Sequence, residues 1–182
     1  MEEIDKQIQN LELIVAMRVL QQDDTPVNRS KLLQEVMKSK FVTPATVDEE
    51  EEKKVRELRQ KGLKGSLQVK MAMVNTNDGK HFLPAFTDSM QLNDWKERVH
   101  MDAEPKKVIM NFDAYAQHVI KSGGNLNGFV INPYAENIVF TEENIRSLLK
   151  QRAEHMSRQA HKNVGNMINT GKPKDISGKK PD

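Results

Sequence analysis

Apolar residues recur at helical spacing at the start of the chain, and alternate further on. Ile4, Ile8, Leu11, Val15 and Val19, widened by Leu13, Met17 and Leu20, form a broad stripe and predict an amphipathic helix over residues 3–21. The polar run Gln22 to Pro26 breaks it, and Leu32, Leu33, Val36 and Met37 mark the buried side of a second helix over 28–38. Phe41-Val42-Thr43 reads as a short strand stopped by Pro44. Leu67, Val69, Met71 and Met73 then alternate, with Ala72 and Val74 on the other face, and predict a strand over 67–75. Asn77-Asp78-Gly79 supplies a hairpin turn into His81–Phe86. Within that second strand Pro84 has no amide hydrogen, which argues for an edge or a bulge.

The later elements are shorter. Thr87, Asp88 and Ser89 are N-cap candidates for a helix over 88–98, packed through Met90, Leu92 and Trp95. Lys107–Met110 is a strand, and Asp113 is expected to cap a helix that runs to Lys121 and ends at Gly123-Gly124. Phe129–Asn132 and Ile138–Phe140 read as strands joined by the turn 133–137, and Thr141 opens an acidic helix start continued by Ile145, Leu148 and Leu149. Periodicity fades beyond Met156. Connections this short favour antiparallel pairing. The fold class is therefore α+β: a mixed, largely antiparallel sheet with helices packed mainly on one face, plus an N-terminal helical pair. One domain is expected over residues 1–160, followed by a basic, disordered tail over 161–182.

Charge refines this picture in two places. Residues 48–61 are densely charged, yet Glu49–Lys53, Glu50–Lys54, Glu52–Arg56 and Glu57–Lys61 are i,i+4 pairs with the acid first, which is how a solvated surface helix is written. From Lys150 onward eight Lys/Arg face three Asp/Glu, so a basic tail of +5 follows a body of −3 within a net charge of +2. The absence of cysteine leaves no disulfide framework and no thiolate nucleophile. The acidic N-terminus and the lack of a long apolar run point to the cytoplasm, with no membrane partner.

Few residues carry chemistry. The five histidines are scattered, without the spacing of a helical metal site, so no metal is assigned. Lys61–Ser66 lacks the phosphate-loop pattern and reads as a linker. Thr87, Asp88 and Ser89 suit helix capping, and the same helix N-terminus could receive an anion. Asn132-Pro133-Tyr134 is ordinary turn chemistry that also places an amide and an aromatic ring at a strand end. No cofactor is implied and no catalytic residue is assigned.

The sequence Leu83–Asp88 (LPAFTD), Trp95, and Gly128–Tyr134 (GFVINPY) followed by the strand Ile138–Phe140 resembles the SseB family, specifically its N-terminal domain, over roughly residues 5–150. The resemblance implies a bacterial, cytosolic protein indirectly linked to amino-acid metabolism, since the family is named for enhanced serine sensitivity, with no established reaction. The expected function is a non-enzymatic binding module that recognises a protein, a peptide or a small anionic metabolite at a sheet edge. Its candidate residues are Phe86, Thr87, Asp88, Ser89, Trp95, Asn132, Pro133 and Tyr134. An enzyme acting on an amino-acid-like substrate, with Asp88 or Asp113 as base, is the alternative. Nucleic-acid association led by residues 165–182 comes third, because the tail has no interleaved aromatics. The apolar face of the first helix also permits a homodimer.

Overall fold

The computed structural model describes residues 8, 10–64, 68–101 and 104–169, with side chains described up to residue 159. Helices α1 (Leu11–Gln22) and α2 (Pro26–Lys38) precede β1 (Lys40–Val47), α3 (Glu49–Gln60), β2 (Val69–Met71), β3 (Val74–Asn75) and β4 (His81–Ala85). There follow α4 (Ser89–Arg98), β5 (Lys106–Asn111), α5 (Phe112–Lys121), β6 (Gly128–Ile131), β7 (Ile138–Thr141) and α6 (Glu142–Asn169). The class is α+β, as the pattern predicts, but the strands form two sheets. One has the order β2-β1-β5 and is antiparallel throughout. The other, β3-β4-β6-β7, pairs β4 with β6 in parallel.

The chain divides into two compact units, residues 1–145 and 146–182. In the second, α6 continues to Asn169, so residues 161–169 are helical where a disordered tail was expected. The remainder of that tail, 170–182, lies outside the described residues. An Arg158–Glu154 pair at 3.9 Å follows the i,i+4 spacing of the helix.

Local capping explains several boundaries in the first unit. Thr25 Oγ1 accepts from the Asn28 amide with Pro26 in the first turn of α2, and Asp48 accepts from the Glu50 and Glu51 amides at the start of α3. Of the four expected i,i+4 pairs on α3, Glu52–Arg56 closes at 2.8 Å, and Glu52 also meets Lys106 at 3.2 Å. Asp113 is not the cap of α5. Asn111 takes that place, with its Oδ1 accepting from the Ala114 amide at 3.0 Å, and Asp113 stands in the first turn.

Two expectations fail for long-range reasons. The strand expected over 67–75 breaks at Ala72-Met73, where the chain crosses from one sheet to the other, and Leu67 lies outside the described residues. Pro44 does not stop β1. Antiparallel pairing to β5 covers Lys40–Ala45, and pairing to β2 begins at Ala45. On that second edge Pro44 needs to offer only its carbonyl, which accepts from Ala72. Pro84, by contrast, does fall at a local edge: β6 flanks it on one side, while β3 on the other pairs only with His81 and Phe82. The missing amide falls in the gap before Phe86, which bridges to Val42.

Helix α1 departs furthest from its stripe. Leu13, Ala16 and Met17 are buried, while Leu11, Val15 and Val19 are exposed. The rotation is set by Asn10, whose Nδ2 donates to the carbonyls of Lys40 and Thr87, both at 2.8 Å. The helix starts at Leu11; residues 3–7 and 9 of the expected helix lie outside the described residues.

The core is aromatic. Phe41, Tyr115, Phe129 and Phe140 form a chain of ring contacts with centroids 4.8–6.0 Å apart, and Phe112 meets Phe129 at 6.1 Å. The Tyr115 hydroxyl donates to the Pro84 carbonyl at 3.2 Å and bonds the Thr43 hydroxyl. Complete burial raises its pKa well above the usual 10.0. An unfolded tyrosine ionises near that ordinary value, so stability that is present below pH 10 is lost as pH rises further. Tyr115→Phe should cost about 1–2 kcal/mol at neutral pH through the lost bonds. The gap to wild type should close above pH ~10, which urea titrations at pH ~7 and ~10.5 would measure.

Candidate functional site

Because β4 and β6 run in parallel, their C-terminal ends lie side by side, the position at which open sheets carrying parallel strands place ligand crevices. Thr87 and Asn132 stand just beyond these ends. Asn132 donates its backbone amide to the Ala85 carbonyl at 2.9 Å, and its side-chain Oδ1 accepts from the Thr87 amide at 3.0 Å. Asn132 Nδ2 donates to Thr87 Oγ1 at 2.9 Å and to Glu136 Oε2 at 2.8 Å. The Thr87 hydroxyl donates onward to Asp88 Oδ2 at 3.0 Å, and Asp88 Oδ1 accepts from the Gln91 amide at 2.9 Å, capping α4. The expected polar residues do meet, and they spend their hydrogen-bonding capacity on one another. Ser89 and Pro133 are buried beside them.

The aromatic candidates separate. Phe86 is wholly buried and packs on Trp95 with centroids 5.4 Å apart, in a cluster with Ile8, Val42 and Leu92. Tyr134 is 61% exposed, held at a positive φ of 68° in the turn after β6. Trp95 and Tyr134 line one cleft of about 420 Å³ with Ala72, Met73, Val74, Asn75, Val99 and Met101. Its lining side chains are apolar apart from Asn75 and the Tyr134 hydroxyl, and none of them is cationic. The Trp95 indole N–H is buried without an acceptor among the described residues, a condition that costs about 1–3 kcal/mol. Beside it runs β3, the end strand of its sheet, with no strand paired on its outer edge among the described residues.

Sequence reasoning missed Met73, Val74, Val99 and Met101, and also Asn10 and Glu136, which brace the turn residues. The double-sided apolar run Ala72-Met73-Val74 is the signal that could have found the cleft wall. His81 and His118 line a different cleft with Met71, Met73 and Leu83, and His81 Nδ1 is 2.7 Å from Asn75 Oδ1. Among the described residues, no group of three or more His, Cys, Asp or Glu is placed to hold a metal ion.

Electrostatic perturbation lies away from the cleft. The Lys80 ammonium and the Thr76 hydroxyl draw Asp78 down to about 2 in the β3–β4 turn. A hydrogen bond from Lys31 lowers the carboxylate of Glu35, against the opposing effect of its desolvation. Among the described residues, no helix is long and apolar enough to cross a membrane.

No curated protein and no solved structure matches the chain. Residues 13–147 match the family described as SseB protein N-terminal domain, a span that covers both sheets, the Thr87–Asn132 knot and the Trp95–Tyr134 cleft. The chain belongs to the SseB family.

Proposed function

We propose that the first unit is a binding module that takes an extended peptide segment of a partner protein into the Trp95–Tyr134 cleft. The observation that carries this reading is a largely apolar cleft, lined by Trp95 and Tyr134, that opens beside an end strand. An apolar side chain would fill the cleft against Tyr134, and the backbone would pair along β3. A small anionic metabolite is less well served. The cleft lining offers no cation, and the turn residues Thr87, Asp88 and Asn132 already bond one another.

An enzyme with Asp88 or Asp113 as base has weaker support. Both oxygens of Asp88 accept hydrogen bonds, and neither carboxylate lines the cleft. On the binding reading, serine sensitivity is an indirect result of losing a partner in the cytoplasm, not of losing a reaction.

Trp95 is the only tryptophan in the chain, so its fluorescence reports the cleft directly. Blocked hexapeptides with a central Leu or Phe should change its emission saturably, and L-serine or inorganic phosphate should not. Tyr134→Ala should weaken peptide binding about tenfold while leaving thermal stability unchanged, because the ring is exposed. Binding that survives this substitution intact would exclude the cleft, and a saturable response to phosphate or serine alone would favour the metabolite.

A further inference from the structure

Two histidines and two methionines from four separate segments line one cleft of about 470 Å³. His81 opens β4, His118 stands on α5, Met71 ends β2, and Met73 lies in the crossover between the sheets. Asn75 pairs directly with His81, and Met73, one residue beyond the last pairing of β3 with β4, is its diagonal neighbour. Such positions lie about 7–8 Å apart, within reach of a long side chain.

His81 is also oriented. Its Nδ1 is 2.7 Å from Asn75 Oδ1, an atom that only accepts, so in the neutral ring Nδ1 carries the proton and Nε2 keeps its lone pair. Metal-ligating histidines are held in this way, with the second ring N–H donated to a carbonyl or carboxylate. The donor set then selects the ion. No carboxylate lines the cleft, and among the described residues no three of His, Cys, Asp and Glu gather to hold a metal. A divalent ion would therefore keep its charge uncompensated, at a high cost in desolvation. Imidazole and thioether are neutral donors, and the thioether is a soft ligand that favours Cu(I). Methionine has three rotatable bonds, and Met73 is 51% exposed, so its sulfur can swing onto an ion without disturbing the core.

We propose that Met71, Met73, His81 and His118 bind one Cu(I) ion, with Asn75 as a positioning residue for His81. The site does not rest on the peptide reading. Of their lining residues, the two clefts have only Met73 in common.

The full chain, methyl-labelled at methionine, would be titrated under nitrogen with Cu(I) and in parallel with redox-inert Ag(I), followed by NMR. One equivalent should shift the Met71 and Met73 methyl signals together and leave the exposed Met90 and Met156 unmoved. Asn75→Ala removes only the support of His81 and should raise the dissociation constant about tenfold or more. Met73→Leu and His118→Gln remove donors and should raise it at least as far. All three positions are exposed, so circular-dichroism melts should match wild type. An equal amount of Zn(II) should not displace Ag(I). Failure to bind either ion overturns the proposal. Shifts spread over Met90 and Met156 would mean an adventitious ion only, and overturn it as well. Displacement by Zn(II), or an affinity indifferent to Met73→Leu, overturns the thioether site. An affinity indifferent to Asn75→Ala overturns the positioning role of Asn75.

Discussion

Gly128→Ala should destabilise the first unit by about 4 kcal/mol or more, most of the margin of an ordinary domain. Gly128 opens β6, paired with Thr141 on β7 and with Phe82 on β4. A Cβ there would lie 1.9 Å from the Phe140 carbonyl oxygen and 2.9 Å from its carbon. Both are backbone atoms inside a two-sided pairing, so no side chain can swing away to make room. The φ of 153° adds strain for any residue with a Cβ. Gly124→Ala separates the two effects. Gly124 also has positive φ but nothing within 4 Å of a built Cβ, and should cost only about 1 kcal/mol. Urea unfolding followed by circular dichroism would compare the two, and equal, small losses would mean that β7 moves aside freely.

Asn132→Ala should cost about 2–4 kcal/mol, the second largest effect. The substitution leaves the Thr87 amide without its side-chain acceptor in a buried place and removes both donors to Thr87 Oγ1 and Glu136. It also puts alanine at a φ of 45°, where asparagine is tolerated far better. Asn132→Asp provides the sharper test. Oδ1 still accepts from Thr87, but a carboxylate now faces Glu136 where the amide donated at 2.8 Å. Two carboxylates this close raise the pKa of one of them. The variant should therefore be weak at neutral pH and regain stability as pH falls toward about 5, when the shared proton is taken up. Wild type has no such gain from this position. A melting temperature of the Asp variant that does not rise on acidification would count against the Asn132–Glu136 contact.

What could be read from the sequence was whatever local chemistry decides. The Asn77-Asp78-Gly79 turn forms, with Gly79 at a φ of 77°, because few residues other than glycine accept that conformation. Asp88, one of the three cap candidates, caps its helix because it sits just before a run of free amides. What escaped was settled by distant partners. The rotation of α1 depends on Asn10 reaching Thr87, 77 residues away, and nothing in the stripe itself favours one apolar face over the other. Alternation over Val69–Asn75 is the same whether one sheet receives it or two, so the crossover at Ala72-Met73 left no mark. For the site, Thr87 and Asn132 were placed at strand ends from their turn chemistry alone. Their bonding to each other needed the parallel β4–β6 pairing, which short connections argued against.

That parallel pairing has a consequence during synthesis. His81 donates its amide to the Asn127 side chain, 46 residues later in the chain, and the β6 partner of β4 follows directly. A ribosome adding 5–20 residues per second leaves the apolar segment His81–Ala85 without β6 for about 2–9 s. During that interval the segment is a strand with open edges, free to pair with other nascent chains. Pro84 then matters before the fold exists: in the middle of the segment it removes one donor from the exposed ladder and makes pairing with a stray strand less favourable. The residue whose place in the finished sheet needed explaining thus also shields an unfinished one.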